Sequence, residues 1–197
     1  MDEIEIRVTL PQKLLNLYKE TTVIFVEDFD QLNEKCQEIG DPPSGFDVAG
    51  KSFPEIKTIV VINNGLDTIN RTIHELLHVF NKNRGINRKL IFDRVYDEYY
   101  AIRKTYDILK THEEFKNDAG FRPLPYGNKI DPLVLDQIGR NLAYKHIIKY
   151  CIKSREGNKF LKENKRSWKL DDFYDNLEED LRIRYKKDQE LEKCSQE

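Results

Sequence analysis

The sequence predicts an α+β fold, with a small mixed β-sheet in its first third and helices through the remainder. Three observations predict it. The run Thr58-Ile59-Val60-Val61-Ile62 is uniformly apolar and β-branched, as expected of a central strand covered on both faces. Thr21–Val26 has a similar β-branched and aromatic make-up and reads as a second strand. From about Asn87 onward no segment reads as a strand, and apolar residues recur at helical spacing instead.

Each element has its own signal. Leu14, Leu15 and Tyr18 mark a short first helix, with Thr9 near its N-cap and Pro11 in its first turn. A second helix spans Asp28 to Ile39 and stops at Gly40. Asp41-Pro42-Pro43-Ser44-Gly45 forms a loop. Two extended segments follow, roughly 45–49 and 57–63, joined by a connection containing Gly, Ser and Pro. Asn63-Asn64-Gly65 turns the chain into a third helix, with Asp67 or Thr68 as its N-cap. Further helices are predicted over about 88–110, 131–154 and 169–191, with a Pro/Gly-rich loop at 121–127. From Asp188 onward the chain reads as a frayed tail.

The chain has 197 residues, enough for one domain or a domain plus an extension. Charged residues make up 35% of it but nearly cancel, leaving a formal charge of -2. That balance gives no global argument for a nucleic-acid or membrane partner. No apolar run approaches the roughly 18 residues that span a bilayer. The acidic start, Met1-Asp2-Glu3-Ile4-Glu5, lacks an apolar secretory core. Cys36, Cys151 and Cys194 make a poor disulfide framework. The expected compartment is a reducing cytoplasm.

Chemistry concentrates at His74-Glu75-Leu76-Leu77-His78, an H-E-x-x-H motif within the third helix. Its spacing sets two imidazoles one turn apart with a carboxylate beside them, the arrangement that holds zinc and a general base. Ile69, Ile73, Leu76 and Phe80 form one apolar stripe. The two histidines lie roughly 40° from each other and project away from that stripe, toward a cleft. The competing reading is a solvent-facing histidine pair beside an ordinary surface Glu. A catalytic zinc usually takes a third protein ligand and keeps one position for water. On the next helix, Ile91, Val95, Ile102, Tyr106 and Leu109 share a stripe, and Glu98 falls within about 20° of its centre. Asp93, Asp97 and Asp107 point elsewhere. A carboxylate facing a buried surface needs a cation, which zinc would supply and which an Arg or Lys could supply instead. His112 and His146 are alternative third imidazoles, the first in a polar stretch and the second on an apolar helix face.

The order of strand, turn, His74-Glu75-Leu76-Leu77-His78 and then Glu98-Tyr99-Tyr100-Ala101 resembles the gluzincin metallopeptidases. Their third ligand is a Glu in an E-x-x-A or E-x-x-S setting on the following helix. Within that group the chain is most similar to the small cytoplasmic metallopeptidases of the ImmA/IrrE type, over roughly residues 20–110. Leu77 departs from the Gly that many of them carry. The resemblance implies Zn2+ held by His74, His78 and Glu98, with Glu75 as general base toward a metal-activated water. It implies a zincin-like catalytic core over 1–110. Residues 111–197 read as a helical extension, and the apolar stripe Leu170, Phe173, Tyr174, Leu177 and Leu181 is expected to pack it on the core, where it could cover the cleft. The resemblance also implies a peptide substrate lying extended along an edge strand, here Gly45, Val48 and Ala49. The group that stabilises the oxyanion is left open between Tyr126 and His146.

The expected function is therefore a zinc-dependent endopeptidase of narrow specificity, acting on a protein or peptide such as a regulator. The alternative is a zinc-binding regulatory or adaptor protein that binds its partner without cleaving it. Residues 145–169 carry nine Lys or Arg against two Glu, with Phe160 and Trp168 between them. That segment reads either as a patch facing nucleic acid or as a solvated helical face neutralised by Asp171, Asp172, Asp175, Glu178, Glu179 and Asp180. The second reading is favoured, because charge runs on helices are usually solvated.

Overall fold

The computed structural model describes residues 8–41, 49–88, 91–112, 115 and 170–194. Its elements run α1 (Gln12–Glu20), β1 (Thr22–Val26), α2 (Phe29–Glu38), β2 (Gly50–Phe53), a 3-10 turn (Pro54–Ile56), β3 (Thr58–Ile62), α3 (Leu66–Asn83), α4 (Ile91–Leu109) and α5 (Leu170–Cys194). The α+β architecture expected from the sequence is present, with a small mixed sheet followed by helices.

The sheet has the order β1-β3-β2. β1 runs parallel to β3, with Thr22 opposite Thr58 and Val26 opposite Ile62. β2 runs antiparallel to β3, with Gly50 opposite Val61 and Phe53 opposite Thr58. Thr58 through Val61 are all buried, as the unbroken apolar run requires of a strand covered on both sides. Val60 packs with Leu32 and Cys36 of α2, together with Val26. Alternation turns Ile59 and Val61 to the opposite face, where α3 lies against β2 and β3. Burial pushes the Cys36 thiol above its ordinary pKa.

Local signals set the helix ends. The Asp28 carboxylate accepts from the Gln31 amide at 2.9 Å, and the Gln31 side chain accepts from the Glu27 amide at 3.2 Å. α3 begins after Gly65 rather than at Asp67 or Thr68. Thr68 still serves this entry, because its hydroxyl accepts from the Asn64 amide at 2.7 Å and donates to Asn63 Oδ1 at 3.2 Å. The far end of α3 closes at Gly85, whose φ of 85° lies in the left-handed region open to glycine. The Ile86 amide then caps the Asn81 carbonyl at 3.1 Å.

Two expectations are corrected here. The stretch read as a connection contains a strand at Gly50–Phe53, and the extended segment expected over 45–49 lies, apart from Ala49, outside the described residues. The position of this strand is set by pairing with β3 more than by its own four residues, which include Gly, Lys and Ser. The predicted frayed tail is helical, since α5 continues to Cys194. Asp188 and Glu192 on its last turns accept from the hydroxyls of Tyr96 and Tyr100. The helix predicted at 131–154 and the loop at 121–127 lie outside the described residues.

By proximity the chain divides into two compact units, with the division falling inside α4. The first gathers the chain up to Ile86 and continues from Ala101. The second gathers Asn87–Tyr100 with α5. Within this second unit Tyr96, Tyr99 and Tyr100 are buried, and Tyr185 of α5 stacks edge-on against the last two. Arg184 donates to Asp93 at 2.9 Å and lies 4.0 Å from the Tyr96 ring centroid. Among the described residues no helix is long and apolar enough to cross a membrane.

Candidate metal centre

Helical spacing does the first part of the assembly. On α3, the Nε2 atoms of His74 and His78 stand 3.2 Å apart, and the rings meet edge to face. Two nitrogens bound to one tetrahedral zinc at about 2.0–2.1 Å would lie about 3.3 Å apart. The pair is already spaced as two ligands of one ion would be. Glu98 stands on α4, one turn before Ala101 on the same unbroken helix. One ligand atom from each of His74, His78 and Glu98 lies within 4.8 Å of the other two. This is the one such grouping of His, Cys, Asp and Glu among the described residues. Two imidazoles and a carboxylate form the donor set of zinc hydrolase sites, so these residues fit the ion that the motif implies.

Glu75 is buried and lies against the sheet edge. A Cβ added at Gly50 of β2 would come within 3.1 Å of Glu75 Cγ and 3.3 Å of its Oε1. The missing side chain at position 50 thus lets strand and carboxylate approach. Ala49, just before this strand, accepts through its carbonyl from the Ile62 amide at 3.0 Å. Gly45, Val48, Tyr126 and His146 lie outside the described residues, as does the basic stretch 145–169. His112 is half-buried, rests edge-on against the Phe115 ring and takes no part in the cluster.

The surroundings of the motif differ from the expected cleft. His78 is only 3% exposed, and Leu76, Leu77 and Val79 are fully buried. α3 is covered on more than one side, because the sheet packs along it and α1 also meets it. Phe80, placed on the core stripe by periodicity, is only half-buried.

Two residues that sequence reasoning passed over, Asp97 and Arg88, lie beside Glu98. Asp97 was expected to face away from buried surface, yet it is wholly buried. Arg88 explains why this is tolerable. Its Nε lies 3.1 Å from Asp97 Oδ2, and a terminal nitrogen donates to Glu98 Oε1, also at 3.1 Å. The Arg partner weighed as the competitor for Glu98 is therefore present. It engages Glu98 Oε1. Nothing local in the sequence signals the Arg88 contact, whereas a glycine in a strand does signal close approach. No protein-family model, curated protein or solved structure matches this chain.

Proposed function

We propose that this chain is a zinc-dependent endopeptidase of the gluzincin type, most like the ImmA/IrrE metallopeptidases, with narrow specificity for a protein target such as a regulator. The observation that carries this reading is the grouping of one ligand atom each from His74, His78 and Glu98 within 4.8 Å of one another. The 3.2 Å spacing of the two Nε2 atoms supports it further. A zinc ion held by these three residues would polarise a substrate carbonyl and make a water acidic enough to attack near neutral pH.

The protein's own groups supply the rest. Glu75 takes the proton of the attacking water and returns it to the leaving amine, a role its neighbourhood to both histidines allows. The peptide lies extended beside β2, adding a strand at the sheet edge next to Glu75. Its main-chain bonds there fix register, so specificity comes from side chains on alternate positions. A buried free thiol at Cys36 suits a reducing cytoplasm.

Metal analysis of the purified full chain tests the proposal. One equivalent of zinc is expected, falling on removal of His74 or Glu98, and a zinc-saturated solution that leaves the protein metal-free rejects it. Glu75→Gln should abolish cleavage of the target while zinc stays bound. A second reading, a zinc-binding adaptor that holds its partner without cleaving it, draws on the burial of Glu75 and His78. Incubation with candidate regulators, with and without a chelator, separates the two.

A further inference from the structure

We propose that the ion pair between Lys51 and Asp41 braces β2 against Glu75, making both residues positioning residues for the edge along which the peptide lies. The inference rests on the zinc reading above and adds to it the means by which the substrate edge is kept in place. β2 needs such a means. It is four residues long, includes Gly, Lys and Ser, and stands at the end of the sheet with β3 as its neighbour. A strand of this kind has little of its own to fix register, and a peptide added beside it inherits whatever register it has.

Alternation supplies the geometry. Gly50 turns toward α3, where a Cβ would come within 3.1 Å of Glu75 Cγ. Lys51 and Phe53 turn to the other face, and Phe53 packs against the cluster of Val26, Leu32, Cys36 and Val60. On that face Lys51 pairs with Asp41, both side chains being partly buried. The end of α2 fixes Asp41 in turn. The Gly40 amide donates to the Gln37 carbonyl at 2.9 Å and the Asp41 amide to the Cys36 carbonyl at 2.9 Å, which closes the helix. Leu32 and Cys36 of that helix are wholly buried. The core thus holds α2, α2 holds Asp41, Asp41 holds Lys51, and Lys51 holds the strand that walls Glu75. A partly buried charged pair contributes more than an exposed one, because water competes for it less.

The test uses the zinc-loaded full chain and two probes. Acetohydroxamate meets a zinc ion alone, whereas the peptide part of a leucyl-peptide hydroxamate must also lie along β2. Wild type is compared with Asp41→Asn, Lys51→Met, the double variant and Lys51→Arg. Each of the first two should bind the peptide hydroxamate about tenfold more weakly, with zinc affinity and acetohydroxamate binding unchanged. Amide exchange over 49–53 should quicken by a similar factor. The double variant should lose no more than either single one, the mark of two groups acting as a pair, and Lys51→Arg should restore binding. General damage to the fold would weaken both probes together. Should Lys51→Met fail to fold, Asp41→Asn, which is nearly isosteric, carries the measurement. Single variants that behave as wild type overturn the proposal, and so do losses that add in the double variant. Wild type that binds both hydroxamates equally overturns it too and leaves the zinc reading in place, whereas wild type that takes up no zinc overturns both.

Discussion

α3, which carries His74 and His78, and the segment Asn87–Tyr100, which carries Glu98, are held by opposite chemistry. α3 is fixed by apolar burial, with Ile73, Leu76, Leu77 and Val79 fully enclosed and the sheet and α1 against it. Asn87–Tyr100 is fixed by polar pairing. Arg88 ties Asp97 and Glu98, Arg184 ties Asp93, and two tyrosine hydroxyls reach carboxylates on α5. Apolar burial is non-directional and tolerates small shifts, whereas a hydrogen-bonded charge network fixes orientation and fails sharply when one member is removed.

The comparison can be broken from either side. Ile73→Ala should cost the most, about 2–5 kcal/mol, because it opens a cavity in a fully packed face; denaturant melts read the loss. Arg88→Met should cost about 3 kcal/mol by removing the guanidinium that pairs with the buried Asp97 carboxylate. In that variant hydrogen exchange should quicken over Asn87–Tyr100 while α3 stays protected. Equal loss of protection in both would erase the distinction. Tyr96→Phe removes one hydrogen bond to Asp188 and should cost about 1 kcal/mol, seen as a small drop in Tm. Gly50→Ala should barely move stability, because the lower strand cost of Ala offsets crowding. It presses on Glu75 instead, so kcat/KM on a cleaved regulator should fall about tenfold while zinc content is unchanged. A drop in zinc content there would mean that the ligands, and not the base, had moved.

Legibility in the sequence followed the same divide. β3 and the motif helix were readable because an unbroken β-branched run and an H-E-x-x-H spacing are local patterns. The helix that carries Glu98 was readable from apolar periodicity. The strand at Gly50–Phe53 reads as a connection in the sequence, since a four-residue strand takes its register from its partner. Asp97 was misjudged because burial of a charge depends on its counter-ion, and Arg88 is joined to it only in three dimensions. The tail after Asp188 looked disordered by composition, but partners on α4 order it. Apolar periodicity is written along the chain; polar partnership between distant residues is not.

The two pairings of the central strand also imply an order of assembly. β2 and β3 are joined by a short turn, with Phe53 opposite Thr58, so closing that hairpin costs little chain entropy. β1 must wait for α2 to cross over before Thr22 can meet Thr58. Refolding experiments should therefore find the hairpin formed in the rate-limiting transition state and β1 joining afterwards, with high φ-values at Ile59 and Val61 and low ones at Ile24.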